Sequence, residues 1–521
     1  MNHQLRLVAA ALLLVGLAAS GCGSGGGTVS PTAGGIQGYV FGRTARSAAA
    51  MSSGRLTPPS GTEPLPGATV TVTAAGAQTA ARVLTTDTSG LFRATGLNAG
   101  EYNATVSRAG YHDATFTVTV VAQSTRLAGV DNVNGVTILQ PVNAARKKWT
   151  FMVYMGADGD LEEFGILNLN QMESVGSDEN VNIVVQADRG PGYDATNGDW
   201  TDTRRFYVTR DQDMSTVTSP VLENLGEVDM GQPETLRDFI TWATTNYPAD
   251  NYVMVPWNHG AGWRSRPLPA ASRGIIFDDT SNTFLTMGEF NAGLNVPGVH
   301  FDLVAIDCSL MGMIEVAWEI RERADYIAFS EESPPGPGYP YHRILGALAA
   351  DPNMTAEQLG RIIVDEHIVA YAREAVTQSL VRTSRLADFG AKVDALAAAL
   401  LQVYPARKAE FDAARTGSQA YSFSYYRDVY DFARSVKASL PDVPAVVSAA
   451  DAVMNGLSAA DGGPVVAEAH NLSQVAGSHG LSIYLPGSTQ FFSGYGDLRF
   501  SQDFGNWYSL VRRVTGMDSG G

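Results

Sequence analysis

From Thr150 onward, short apolar runs alternate with longer stretches whose apolar side chains recur three and four positions apart. No other feature restricts the fold as strongly. "TFMVYM", "VNIVVQAD", "RRFYVT", "YVMVPWN", "GIIFDD", "DLVAID", "YIAFSEE" and, far downstream, "GLSIYLP" read as strands, several of them apolar on both faces. The intervening "LEEFGILNLNQMESV", "PETLRDFITWATTNY", "TMGEFNAGL" and "MGMIEVAWEIRER" read as amphipathic helices. Pro233 with Glu234 opens one helix, and Thr286 three positions before Glu289 predicts a capping box. A strand apolar on both sides has to be covered on both sides. The pattern therefore predicts an α/β unit, a mostly parallel sheet flanked by helices. Residues 355–460, rich in Ala, read as mostly helical.

Upstream the texture differs. "IQGYVF", "ATVTVTAA", "RVLTTDTSGLFRATGL" and "EYNATVSRAGYHDATFTVTVV" alternate with period two, as half-buried strands do, and Asp87 to Gly90 is turn-forming. This is a separate, small N-terminal all-β sandwich with no cluster of reactive side chains. Residues 43–63 are poor in large apolar side chains and read as a loop. At the start, Arg6, the apolar run Leu7 to Ala19 and the small residues before Cys22 read as an export signal. "ASGC" resembles a bacterial lipobox, in which the Cys is acylated, although the position three before the Cys is Ala19 rather than the usual Leu. The predicted organisation is a signal peptide over 1–22, a Gly- and Ser-rich tether over 23–35, the sandwich over 36–140 and the α/β domain over 148–515. The chain, at 521 residues, is too long for one ordinary core.

The net charge of -17 argues against a nucleic-acid partner, because phosphate binding needs clustered Lys and Arg. Only two cysteines exist, Cys22 and Cys308. With Cys22 acylated or removed, Cys308 has no partner, and in an exported protein it is either buried and inert or reactive.

Two sequence positions stand out for chemistry. His259 ends the run "YVMVPWN" and Cys308 ends the run "DLVAID", so both sit at carboxyl ends of strands, where open α/β sheets collect ligands. Gly260 lets the backbone approach a substrate carbonyl and aim its N–H at a developing oxyanion. An imidazole or a helix N-terminus beside the thiol raises its thiolate fraction, and the helix expected after Cys308 would supply a dipole. Against this stand two plainer roles: a histidine that caps its strand, and a cysteine that serves as a small buried apolar residue.

"WTFMVYMGADGDLEE", "NVNIVVQADR", "GEVDMGQPETLRDFITWA", "YPADNYVMVPWNHGAGW", "GIIFDDTS", "IDCSLMGMIEVAWEI", "GPGYPY" and "GLSIYLPGS" together resemble the clostripain family of cysteine peptidases, over nearly all of Trp149 to Val514. The sandwich, with "GYV", "PGATV", "TDTSGLF" and "GEYNATVSRAGY", resembles the carboxypeptidase-regulatory-like domain. The first resemblance implies a caspase-like fold, a Cys–His dyad, cleavage after Arg or Lys and often self-cleavage between the His and the Cys. His259 matches the family histidine, Gly260 the adjacent oxyanion-binding glycine, and Asp307 the acid that receives a basic side chain. Asp307 reads equally as a cap for a helix starting near Leu310.

The nucleophile departs from the family pattern. Most members read Asp, a small residue, Cys, then Leu-Met-Gly, whereas this chain reads Asp307-Cys308-Ser309-Leu310-Met311-Gly312. The frame puts Ser309 in the nucleophile's place and, in a regular strand, turns Cys308 to the other face. Three readings follow: a bulge returns Cys308 to the site; Ser309 acts with His259; or the scaffold binds peptides without turnover. Arg264, Arg266 and Arg273, in "GAGWRSRPLPAASRG", are candidate self-cleavage sites. Expected partners are peptides or proteins with basic residues, and a membrane held through the lipid anchor. No cofactor is required. Because some relatives need calcium, Asp158, Asp160 and Asp278 are candidate Ca2+ ligands, or else solvated loop acids, and no EF-hand spacing is present.

Overall fold

The computed structural model describes residues 33–43, 62–77, 82–111, 113–130, 135–139, 146–265, 273–488 and 490–517. The predicted signal peptide, Cys22 and most of the tether lie outside these residues. So do Arg266 and most of the 43–63 segment.

The N-terminal strands form two sheets. In one, Ala33–Arg43 pairs antiparallel with Leu91–Asn98 and Thr62–Pro64 and parallel with Val136–Leu139. In the other, Thr69–Ala74, Arg82–Thr85, Gly100–Ser107 and Ala114–Val120 are antiparallel neighbours. The period-two pattern becomes the core between them: Val70, Val72, Ala104, Val106 and Val120 point inward beside Ile36, Val40 and Phe92. The Asp87 turn forms as expected, with the Asp87 carboxylate accepting from the Ser89 N–H at 2.8 Å and Gly90 at φ +75°.

The α/β part is built on a nine-stranded sheet. From one edge its order is Val221–Gly226, Thr203–Tyr207, Val181–Arg189, Lys147–Ala157, Ala249–Trp257, Phe301–Ala305, Ala324–Phe329, Thr377–Arg382 and Val465–His470. The five central strands are parallel, and two strands at each edge are antiparallel. Alternate side chains feed two apolar layers: Phe151, Val153 and Met155 pack on one face, Met152 and Tyr154 on the other. The helix Glu162–Glu173 covers the first layer, and Pro233–Asn246 and Met287–Leu294 lie on the second. Thr286 and Glu289 make the expected capping box.

Two predicted strands lie outside this sheet. Arg273–Asp278 belongs to a three-stranded ribbon with Gly260–Ser265 and Thr283–Leu285, and Ser482–Tyr484 pairs with Tyr426–Asp428. Both runs are short and apolar, and their sequence says only that they are buried. The edge strands Thr377–Arg382 and Val465–His470 had no strong apolar signature, the first falling within the stretch read as mostly helical.

Strand order positions the site. Lys147–Ala157 is flanked by Val181–Arg189 on one side and Ala249–Trp257 on the other, so successive connections leave it in opposite directions. Such a reversal opens a crevice at the carboxyl ends of the two strands.

Candidate functional site

The carboxyl ends of three adjacent strands come level at this crevice. Met155 pairs in register with Trp257, and Trp257 bridges to Asp307. His259 follows Trp257 by two residues and Asp160 follows Ala157 by three, which brings Nε2 of His259 to 2.6 Å from Oδ1 of Asp160. The imidazole is 47% exposed and the carboxylate 75%, so the pair adds little stability. Its effect is orientation. A carboxylate on Nε2 favours the proton there and leaves Nδ1 as the basic nitrogen. Asn258 supports the arrangement from below: its amide donates to the carbonyls of Gly156 and Phe277 and accepts from the His259 N–H. The Phe277 ring meets the imidazole edge-on at 6.4 Å between centroids.

Gly260 is where the two halves of the site touch. A Cβ there would collide with the carbonyl oxygen of Ser309 and stand 3.0 Å from the Cys308 Cβ. Only glycine permits this approach.

Strand alternation continues through the nucleophile motif. Leu303 and Ala305 belong to one apolar layer, and Val304, Ile306 and Cys308 to the other. No bulge swings Cys308 round. The thiol is 1% exposed, with Sγ 3.5 Å from the carbonyl oxygen of Pro256. Burial, reinforced by the charge of Asp307, pushes it well above the ordinary thiol range. The expected help from a helix dipole is absent as well. The helix starts at Ile314, after a turn in which Leu310 takes φ +64° and the Gly312 N–H donates to the carbonyl of Ser330 at 2.7 Å. Ser309 is half-buried, its main chain against Gly260.

Asp307 faces away from Cys308. Its Oδ2 accepts from the Tyr339 N–H at 3.0 Å and the Tyr341 hydroxyl at 2.9 Å, both from the segment beginning "GPGYPY". Gly338, at φ +61°, lies directly over it; a Cβ there would come within 2.6 Å of Oδ2. Burial raises the carboxyl to about 7. Asp307 does not cap the following helix, whose N-cap is Met313.

Of the loop arginines, Arg264 lies in the strand Gly260–Ser265 and Arg273 begins the strand Arg273–Asp278. Ser265 and Arg273 pair across the ribbon, so the two ends of the connection sit side by side.

The acids divide otherwise than expected. Asp160 is taken by His259, whereas Asp158 and Asp278 gather with Asp188 and Glu227, one oxygen of each lying within 4.8 Å of the others. Sequence reasoning missed Asp160 as the partner of His259, and Asp188 and Glu227 in the cluster. The available signal was Asp188 itself, an acid at the end of a run apolar on both faces.

Residues 153–511 match the model of the clostripain family, and residues 53–131 that of the carboxypeptidase regulatory-like domain. The chain is 27% identical over 413 residues to clostripain of Hathewaya histolytica, spanning 67% of this chain and 76% of that protein. A secreted C11 cysteine protease from Bacteroides thetaiotaomicron, solved with an irreversible peptide inhibitor, superposes with a TM-score of 0.51 at 22% identity, over 70% of this chain and 99% of that one. A second structure from the same organism, the secreted C11 protease called iotapain, gives 0.50 at 15% identity, over 70% and 99%. These two likenesses establish the shared fold.

Proposed function

Because the chain belongs to the clostripain family of cysteine peptidases, we propose that it is an exported endopeptidase cleaving after Arg or Lys, with Ser309 in the nucleophile's position. The observation that carries this reading is the unbroken alternation that seals Cys308 in the core and leaves Ser309 against Gly260 at the crevice. The substrate's basic side chain meets Asp307 through Oδ1, the oxygen not engaged by Tyr339 and Tyr341. Ser309 Oγ attacks the scissile carbonyl as Nδ1 of His259 takes its proton, and the Gly260 N–H receives the oxyanion. Asp160 holds the ring and balances the imidazolium. His259 then returns the proton to the leaving amine, and water repeats the cycle on the acyl-enzyme. A hydroxyl needs its base during attack far more than a thiol does, so the Asp160–His259 pair suits this chemistry.

Acylation of Cys22 would tether the protein to the cell envelope, with the sandwich as spacer. No helix among the described residues is long and apolar enough to cross a membrane. Cleavage at Arg264, Arg266 or Arg273 would open the connection beside Gly260.

A second reading, a peptide-binding scaffold without turnover, is favoured by the same substitution of a hydroxyl for a thiol. Reporter peptides ending in Arg or Lys separate the two. Cleavage lost in Ser309→Ala and kept in Cys308→Ala supports the serine nucleophile; the reverse pattern restores Cys308, and no cleavage by the parent chain supports the scaffold.

A further inference from the structure

The proton carried by His259 constrains where the second half of a substrate lies. It passes to the leaving amine, so the chain after the scissile bond runs over the imidazole, on the side away from Asp307. That direction follows the sheet, because Phe301–Ala305 neighbours Ala249–Trp257 on one side and Lys147–Ala157, then Val181–Arg189, on the other. Ala249–Trp257 and Val181–Arg189 are two places apart, about 10 Å, which three residues of extended chain span at about 3.3 Å each.

The loop after Val181–Arg189 meets this path, and it is firmly held. Arg189, 1% exposed, donates to the Glu162 carboxylate at 2.5 Å and to the carbonyls of Asp194 and Thr196, and its guanidinium lies 4.8 Å from the Trp200 ring centroid. The same loop leaves Tyr193 48% exposed. Its hydroxyl donates to Asp279 Oδ2 at 2.6 Å. That bond, with partial burial and the charges of Asp279, Asp158 and Asp160 adding to it, pushes the hydroxyl up to about 12 and keeps it a donor.

Asp279 ties the ring to the catalytic side of the crevice. Its N–H donates to the Asp158 carbonyl at 3.3 Å, and a Cβ on Gly159, the residue before Asp160, would stand 3.4 Å from Oδ2. Among the described residues no cation pairs with Asp279 or lies over the Tyr193 ring. A phenol donating to a carboxylate presents an electron-rich face with a negative charge at its edge. A long cationic side chain matches both, its stem on the ring and its head at Asp279. An apolar side chain would use the ring but strip water from the carboxylate, and an acidic one is repelled by Asp279 and by the exposed Asp160.

On the basis of the peptidase reading, we propose that Tyr193 and Asp279 form a subsite for a Lys or Arg side chain two or three residues beyond the scissile bond. With Asp307 receiving the basic side chain before the cut, the substrate class becomes a segment that carries cations on both sides of the bond.

The test uses the full chain and peptides that fluoresce when cut, with Arg before the bond and Lys, Ala, Phe or Glu at the second and third positions after it. The parent should cleave the Lys peptide with kcat/KM about 3- to 10-fold above the Ala peptide, and the Glu peptide more slowly than either. Added salt should shrink the advantage of Lys. The Lys-to-Ala ratio, read within each variant so that a general loss cancels, should fall to about one in Tyr193→Ala and drop in Asp279→Asn. Tyr193→Phe, which keeps the ring, should retain part of it. A reporter with only a small fluorogenic amine after Arg measures the peptidase reading by itself. If that reporter is not cleaved, the peptidase reading fails, and the affinities of singly labelled versions of the same peptides for the parent, read by fluorescence anisotropy, give the ratio instead. The subsite is overturned if the parent handles Lys and Ala peptides alike, if it prefers Phe to Lys, or if Tyr193→Ala or Asp279→Asn keeps the parent's ratio.

Discussion

Asp160 and His259 are 99 residues apart in the chain and 2.6 Å apart in the fold, each projecting from the end of one of two adjacent parallel strands. The exposed pair orients the imidazole. Asp160→Asn should therefore lower kcat on Arg reporters by about 10- to 100-fold, less than removal of a buried triad acid, with KM little changed. Folding stability should move by under about 1 kcal/mol. Steady-state kinetics with a melting curve on the same preparation checks both, and an unchanged kcat would remove Asp160 from the mechanism.

Cys308 and Ser309 should differ in reactivity as they differ in exposure. A disulfide-exchange reagent should leave the native parent unmodified at Cys308 and label it only on denaturation, because the thiol is buried and its ionisation suppressed. Ser309→Cys should introduce a rapidly alkylated thiol and raise kcat above the parent's. Rapid labelling of the native parent would mean that Cys308 reaches the crevice.

Gly260→Ala tests the contact between the two halves of the site. The added methyl meets main chain, the Ser309 carbonyl, which cannot rotate aside. Loss of about 1–3 kcal/mol and of nearly all activity is expected, whereas Gly288→Ala, where a Cβ meets nothing within 4 Å, should be neutral or stabilising. Urea unfolding of the two variants distinguishes collision from the mere addition of a methyl.

Asp307 gives a pH signature. Its folded carboxyl titrates near 7, against about 3.9 in an unfolded chain. Below about pH 4 both states hold the proton, and between 4 and 7 only the folded state does. This group's contribution to stability therefore falls as pH rises across that window. A cationic substrate side chain needs the ionised form, so kcat/KM for Arg reporters should climb through about pH 7. Asp307→Asn should abolish that limb together with the preference for basic residues, while a reporter with a neutral side chain should never show it. Profiles of identical shape for the two reporters would exclude Asp307 from substrate recognition.

The parallel core was legible because runs such as Phe151 to Met155 are apolar on both faces, which only a doubly covered strand tolerates. His259 was legible for a related reason, a polar ring directly after such a run. The pairing of Asp160 with His259 was not, since strand order sets it and nothing local encodes strand order. The capping box at Thr286 was readable because it is local chemistry within four residues. The buried cluster lay between these cases: Asp188 is visibly misplaced in its apolar run, but its companions come from strands distant in sequence.

The motif "DCSLMG" is fastened at both rims independently of what lies between. The Asp307 N–H donates to the Pro256 carbonyl at 3.0 Å and the Gly312 N–H to that of Ser330 at 2.7 Å. Of the four side chains inside, Cys308, Leu310 and Met311 are packed in the core, and only that of Ser309 stands partly outside it. The segment behaves as a socket whose shape belongs to the scaffold and whose reactive insert is exchangeable. A lineage carrying this fold can thus gain, weaken or lose its nucleophile by single substitutions without passing through an unfolded ancestor.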